Sequence, residues 1–323
     1  MYDLAIIGGG PAGVAAGVYA ARKRLNTVFI ADTIGGQSTD SIEIENWIGT
    51  EKISGLDLAK SLEKHLRAYA HNGVDLKIGE RANGVKIIDG GFVIETSKDS
   101  YEAATVLVAT GGSRKKLGIP GALNFENKGV TYCASCDGPL FSGQDVVVVG
   151  GGNAGFETAA QLLAYAKSVT LIHRSPNFDK ADAATVEVVL SHPNMRSFKN
   201  TLPVEVKGAQ FVNTIVVKDT VTGDIRDIPT AGIFVEIGMV PATDYVKDLV
   251  ERDEWGRIVV DGKSQRTTRQ GIWAAGDCSN ALYHQNNIAA GDAIKALEDI
   301  YFYLKAGTNV AIKKESAPAI TMQ

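Results

Sequence analysis

The stretch Asp3-Leu4-Ala5-Ile6-Ile7-Gly8-Gly9-Gly10-Pro11-Ala12-Gly13 decides the fold. Its apolar residues predict a buried strand, and its spaced glycines predict a tight turn into the Ala/Gly-rich helix that follows from Val14 to about Arg24. Gly8 permits the turn, Gly10 lets backbone approach a pyrophosphate at the helix N-terminus beside Pro11 and Ala12, and Gly13 lets the helix pack closely on the strand. A second strand, Asn26 to Ile30, ends near Asp32, roughly 20 residues past the glycines, where an acid grips ribose hydroxyls. A glycine-rich surface turn would need none of these neighbours. Together they predict a site for an adenine dinucleotide.

The pattern recurs. Asp145-Val146-Val147-Val148-Val149 enters Gly150-Gly151-Gly152-Asn153-Ala154-Gly155 and an Ala-rich helix to about Ala166, an internal duplication of one nucleotide-binding unit. Gly150, Gly152, Asn153, Ala154 and Gly155 are the second set of nucleotide-site candidates. Two such units suit an enzyme that passes electrons from one dinucleotide to another. The strand Ser168 to Ile172 ends at His173-Arg174, where the first unit has its acid, and a cation there favours a 2′-phosphate. Asp179 and Asp182 follow closely and would repel that phosphate; the alternative for Arg174 is a solvated strand-end charge. Between the units, Ser113 to Gly121 is basic and Gly/Pro-punctuated, as a domain crossing would be, and Pro241 marks a second crossing. The expected fold is α/β with two Rossmann-like domains of the two-dinucleotide-binding type, one inserted in the other. Residues 1–117 and 241–323 form one domain and 118–240 the other.

Ahead of the second unit, within the 118–240 domain, lies Thr131-Tyr132-Cys133-Ala134-Ser135-Cys136-Asp137-Gly138. Two residues between cysteines let the sulfurs close a small ring, and a thiol held there can have a lowered pKa, with Asp137 placed to relay a proton. Half of a zinc site is the competing reading, but it needs two more ligands. Cys278 is far away in sequence and the five histidines form no spaced cluster, so a redox dithiol is expected and no metal.

Composition sets the compartment and the partners. At 323 residues the chain exceeds one typical core, and a net charge of −4 with pI near 5.8 excludes nucleic acid and membrane surfaces as partners. No apolar run approaches membrane-spanning length, and Tyr2 to Ile7 lacks the basic region and length of a signal peptide, so a cytoplasmic location is expected. In a reducing compartment a CxxC is catalytic rather than a staple.

Elsewhere, Gly35-Gly36-Gln37 and Ile44 to Gly49 read as loops whose amide and indole groups would line a flavin. A helix from about Leu56 to Tyr69 precedes a set of short antiparallel strands over Asp75 to Thr96, and Ala104 to Val108 is a buried strand ending in Ala109-Thr110-Gly111. Strands are expected over Glu205 to Asp219, Ala231 to Gly238 and Arg257 to Val260. Gly271 to Asp277 is another, whose acid would bond a flavin nucleotide's polyol beside Cys278, a buried filler. The last helix, from Gln285 and Asn286 to about Leu304, puts Ile288, Ile294, Leu297, Ile300, Tyr301 and Leu304 on its core face and aims amides from its N-terminus at the flavin ring. Residues from Gly307 onward stay unassigned.

Gly8-x-Gly10-x-x-Gly13, Gly35-Gly36-Gln37, Glu45-Asn46, Ala109-Thr110-Gly111, the Cys133 to Gly138 element, Gly150-x-Gly152-x-x-Gly155 and Ala275-Gly276-Asp277 together resemble the low-molecular-weight thioredoxin reductases. Lys128 to Tyr132, Gly138-Pro139-Leu140-Phe141 and Ala231-Gly232-Ile233-Phe234 more closely resemble the flavoprotein component of bacterial alkyl hydroperoxide reductase, without its N-terminal thioredoxin-like module, so a separate protein is expected to collect the electrons. The resemblance implies FAD held by the first glycine motif with Asp32, Gly36, Gln37, Asn46, Ala109 to Gly111, Gly276, Asp277, Gln285 and Asn286, and a nicotinamide nucleotide in the second domain. It also implies a homodimer and an electron relay ending in disulfide exchange. In that relay Cys136 lies against the flavin, Cys133 attacks the partner, Asp137 shuttles the proton, and the domains rotate about hinges near Gly118 and Gly238. NADPH-dependent members carry His-Arg-Arg and then Asp-x-Phe-Arg where this chain has His173-Arg174-Ser175-Pro176-Asn177-Phe178-Asp179. NADPH is the expected reductant, with NADH or ferredoxin as alternatives. The expected acceptor is thioredoxin or a thioredoxin-like protein; the alternatives are a peroxiredoxin fed through a glutaredoxin-like carrier, and a flavin-binding redox sensor without turnover.

Overall fold

The computed structural model describes residues 1–41 and 43–306, so the unassigned tail after Gly307 lies outside the described residues. The chain divides into two compact bodies. The first comprises Met1–Ile34, Leu62–Gly111 and the chain from Thr243 onward; the second comprises Gly35–Ser61 and Gly112–Ala242.

In order, the chain forms β1 (Tyr2–Ile7), α1 (Pro11–Arg22), β2 (Thr27–Ala31), α2 (Gly55–Ala70), β3 (Val74–Ile78), β4 (Ala82–Ile88), β5 (Gly91–Thr96), β6 (Ser100–Val108), β7 (Gly112–Arg114) and β8 (Val130–Thr131). Then come α3 (Ala134–Asp137), β9 (Asp145–Val149), α4 (Asn153–Leu162), β10 (Ser168–Ile172), α5 (Ala183–Leu190), β11 (Met195–Phe198), β12 (Thr201–Gly208), β13 (Val212–Asp219), β14 (Ile225–Pro229), β15 (Gly232–Val235), β16 (Met239–Pro241), β17 (Ile272–Ala274) and α6 (Asn286–Lys305).

In the first body the order β3-β2-β1-β6 is parallel, and β6 changes neighbours along its length. Its start pairs antiparallel with β5, while its end pairs parallel with β17. Every residue of β2 is buried, as expected for a parallel sheet covered on both faces. Val14 and Val18 of α1 and Leu297 and Ile300 of α6 share one core with Phe29 and Trp273, and Ile7, Val28, Ile30, Val106 and Ile272 face the other.

The second body repeats the design as β11-β10-β9-β15-β8, all parallel. Helix α4 covers one face through Phe156, Ala159 and Leu162, and the antiparallel sheet β12-β13-β14 covers the other through Val206, Ile215 and Val217. Strand β8 flanks β15 as β17 flanks β6, although β8 precedes its unit in sequence and β17 follows its own. The ribbon β7-β16 forms where the chain enters and leaves this body. Two Rossmann-like units are therefore present. Among the described residues, no helix is long and apolar enough to cross a membrane.

Three expectations are corrected. The Asp75 to Thr96 segment is not wholly antiparallel: β3 pairs parallel with β2, and only β4 and β5 form a hairpin, about Gly90 at φ 78°. Arg257 to Val260 forms isolated bridges rather than a ladder. The core face of α6 holds Leu297 and Ile300 as expected, with Tyr301 and Leu304 packed against it, but it also carries Ala289, Ala293 and Ala296 while Ile288 is 37% exposed, because α6 packs closely on the small residues of α1 and more bulky side chains would hold the helices apart.

Candidate functional site

Strand β8 delivers the dithiol. Thr131 pairs with Phe234 of β15, Cys133 stands in extended conformation, and the single turn of α3 brings Cys136 back, so the two are joined as a disulfide with Cα atoms 5.3 Å apart. The Asp137 amide donates to Cys133 O at 3.0 Å, and Ser135 Oγ donates to Gln161 Oε1 of α4 at 3.1 Å, which ties the turn to the body. Thr131 Oγ1 donates to Asp137 Oδ2 and accepts the Cys133 amide at 3.3 Å. Burial pushes the Asp137 carboxyl above its ordinary pKa, against the opposing pull of the Thr131 hydroxyl. On the other side, Tyr132 donates to Glu126 Oε1 at 2.8 Å, Lys116 pairs with the same oxygen at 3.0 Å, and its ammonium lies 4.6 Å over the Tyr132 ring.

In the first body the candidates gather at the carboxyl edge of the parallel strands, where open α/β sheets bind ligands. Gly8 follows β1 at φ 126°, and a Cβ there would meet Ala109 O at 2.2 Å. A Cβ at Gly13 would meet Gly8 O at 1.8 Å, whereas Gly10 faces open space with nothing within 4 Å. Gly10 caps α1 with no side-chain acceptor, Pro11 and Ala12 start the helix, and no acid occupies the first turn, so its amides face that space uncapped. This open cradle is what a dinucleotide's pyrophosphate requires, and the residues fit it. Asp32 is exposed just past β2. Thr110 Oγ1 shares a hydrogen bond of 3.4 Å with the Tyr245 hydroxyl, and Gly111 follows at φ 59°. Gly276 packs between Ala12 and Ala289, joining the first turns of α1 and α6, with Asp277 half-buried beside it and Gln285 and Asn286 at the start of α6. Cys278 is buried, donates to Val108 O and Ala275 O, and burial pushes its thiol up to about 11, as expected of a filler. Gly36, Gln37 and Asn46 belong to the second body, with Gly36 opening a 3₁₀ turn at φ 58°.

The second glycine turn repeats the first. A Cβ at Gly150, φ 125°, would meet Glu236 O at 2.1 Å, one at Gly155 would meet Gly150 O at 1.9 Å, and Gly152 has nothing nearer than Lys180 O at 3.9 Å. Asn153 Oδ1 accepts the Asp182 amide at 2.7 Å, and Ala154 follows it in the exposed first turn of α4. His173 closes β10 with Nε2 2.9 Å from Asn177 O. Burial, then the cations Arg174 and Lys199, hold its imidazole below the ordinary pKa. Arg174 is exposed and makes no hydrogen bond or ion pair among the described residues.

Sequence reading assigned no role to Thr131 or Glu236. The Glu236 side chain is buried after β15, where it accepts from Thr158 Oγ1 at 3.0 Å and pairs with Arg114 at 3.3 Å, and burial raises its pKa. A lone acid ending an apolar run was the available signal.

A model of the pyridine nucleotide-disulphide oxidoreductase family matches residues 2–293. A protein named NADH dehydrogenase from Ferdinandcohnia aciditolerans is 39% identical over 98% of this chain and 60% of its own length. The F component of Escherichia coli alkyl hydroperoxide reductase is 39% identical over 94% of this chain and 58% of its own length. The chain thus spans about three fifths of the length of these curated relatives. The solved structure of thioredoxin reductase from Streptococcus pyogenes superposes with a TM-score of 0.86 at 34% identity, covering 95% of this chain and 99% of that one. With a doubled glycine cradle, a disulfide in the second body and a family match over most of its length, the chain belongs to the pyridine nucleotide-disulphide oxidoreductases, whose members use FAD and a nicotinamide nucleotide.

Proposed function

We propose that this chain is an FAD-dependent disulfide reductase that takes electrons from NADPH, or from NADH, and delivers them through Cys133 and Cys136 to thioredoxin or a thioredoxin-like protein. The observation that carries the reading is the Cys133–Cys136 disulfide with the half-buried Asp137 beside it, set in one of two Rossmann-like bodies. The Gly8 to Gly13 cradle, Asp32, Ala109 to Gly111, Gly276, Asp277, Gln285 and Asn286 of the first body would hold FAD. The Gly150 to Gly155 cradle, His173 and Arg174 would hold the nicotinamide nucleotide. FAD, when bound, supplies a carrier that accepts hydride and gives up two electrons to a disulfide. In the dithiol form, Cys133 thiolate attacks one sulfur of the partner's disulfide, breaking that bond and expelling a thiolate that takes its proton from Asp137. Cys136, its thiol proton passing to the carboxylate now on Asp137, then attacks Cys133 Sγ, which restores the intramolecular disulfide and releases, as a thiolate, the partner sulfur that Cys133 had attacked. Likeness to the F component of alkyl hydroperoxide reductase favours a second acceptor, a carrier serving a peroxiredoxin.

The test is NADPH or NADH oxidation by purified, FAD-loaded protein, with thioredoxin and a disulfide dye as acceptors. Cys133→Ser should abolish disulfide reduction, and Cys136→Ser should trap an oxidised partner on Cys133 as a mixed disulfide visible by non-reducing electrophoresis. Unchanged turnover in both variants would make the pair structural and end the reading.

A further inference from the structure

Three groups meet at the root of the dithiol: the hydroxyl of Thr131, the carboxyl of Asp137 and the amide of Cys133. We propose that Thr131 is a positioning residue for Asp137, its hydroxyl holding the carboxyl in register with Cys133 and tuning the proton that Asp137 carries. This rests on the reductase reading above. A threonine hydroxyl has one proton to give, and here it goes to Asp137 Oδ2, while a lone pair takes the Cys133 N–H. One side chain therefore links the backbone of the attacking cysteine to the acid.

The link is rigid. Thr131 is 6% exposed at the end of β8, paired to β15 through Phe234, and its β-branched side chain has little rotamer freedom. The Asp137 backbone is fixed from the other side, its N–H donating to Cys133 O at 3.0 Å.

The electrostatics isolate the effect. Burial raises the Asp137 pKa and the Thr131 hydroxyl lowers it. Within α3 the other side chains are Ala134, Ser135 and Cys136, the last held in the disulfide, and the turn Gly138–Phe141 has no titratable group. Helix α4, which packs on α3, carries Glu157, exposed and coupled to Glu236, and just past its end lies Tyr165, which burial keeps protonated. Beside β8, Tyr132 gives its hydroxyl to Glu126, which Lys116 neutralises. Without the Thr131 hydroxyl, that lowering is lost. A donor to a carboxylate favours its charged form, so removing that donor moves the Asp137 pKa up.

The test combines turnover with a readout that does not need it. Thr131→Val should move the pH limb assigned to Asp137 upward by about one to two pH units, the worth of a hydrogen bond to a charged group. It should lower kcat about tenfold, with KM for the disulfide partner within about twofold. Thr131→Ser should restore both, and in an Asp137→Asn background Thr131→Val should move no limb. Infrared titration of the carboxyl band lost in Asp137→Asn reads the same shift in oxidised protein at rest, and Thr131→Ala serves if the valine variant does not fold. An unmoved band and limb in a folded Thr131→Val or Thr131→Ala variant, with the parent turning over, overturns the positioning role and leaves the reductase reading standing. A parent that reduces no disulfide ends the reductase reading and this inference with it, even if the band shifts.

Discussion

At Arg174 the guanidinium stands exposed just past β10 with no ion pair among the described residues, whereas Asp32, at the matching place past β2, presents a carboxylate. A carboxylate there suits ribose hydroxyls and a guanidinium suits a 2′-phosphate. A charge-assisted hydrogen bond to phosphate is worth about 1.5–3 kcal/mol, so Arg174→Ala should raise KM for NADPH by about tenfold or more and leave NADH within about twofold. Steady-state kinetics with both nucleotides check this, and equal losses would take the 2′-phosphate away from Arg174. Residues whose chemistry is fixed by type and spacing, such as Cys133, Cys136 and the glycines, were legible in the sequence. Thr131 and Glu236 were not, because their roles depend on partners brought by folding. Thr158 lies 78 positions from the acid it bonds, and Thr131 needs the turn of α3 to meet Asp137.

At the scale of elements, each strand-turn-helix unit separates glycines needed for folding from those that leave room. Gly13 lies under the carbonyl of Gly8, and any Cβ would enter that oxygen at 1.8 Å; Gly10 meets nothing within 4 Å. Gly13→Ala should therefore destabilise the protein by several kcal/mol, the scale of strain in a packed core. Gly10→Ala should leave the FAD-free stability within about 0.5 kcal/mol while weakening FAD binding, since its methyl projects into the space before α1. Denaturant unfolding and flavin titration separate the two, and equal stability losses would show that Gly10 serves the fold alone. The same spatial logic explains what periodicity missed. Apolar spacing finds a helix but not which side chains suit its neighbour, and α6 meets the small residues of α1 with alanines. Likewise β3 reads as one more short strand, but which strand it pairs with is set by the layer that β2 leaves open.

At the scale of the molecule, the duplication means that each body owns its cores. Phe29, Trp273, Leu297 and their neighbours fill the first, and Phe156, Ile215, Val217 and Phe234 fill the second. A ligand that binds only a folded body raises that body's stability by RT ln(1 + [L]/Kd), about 2.7 kcal/mol at a hundredfold excess over Kd. A chain with two self-contained cores need not unfold in one step. Calorimetry of FAD-free protein should therefore resolve two transitions, with added FAD raising the one that belongs to the first body and NADP⁺ raising the other. Arg174→Ala assigns them, since it should reduce the NADP⁺ shift without touching the FAD shift. A single transition raised by both ligands would mean that the bodies unfold as one cooperative unit, despite the separate cores that their repeated sequence builds.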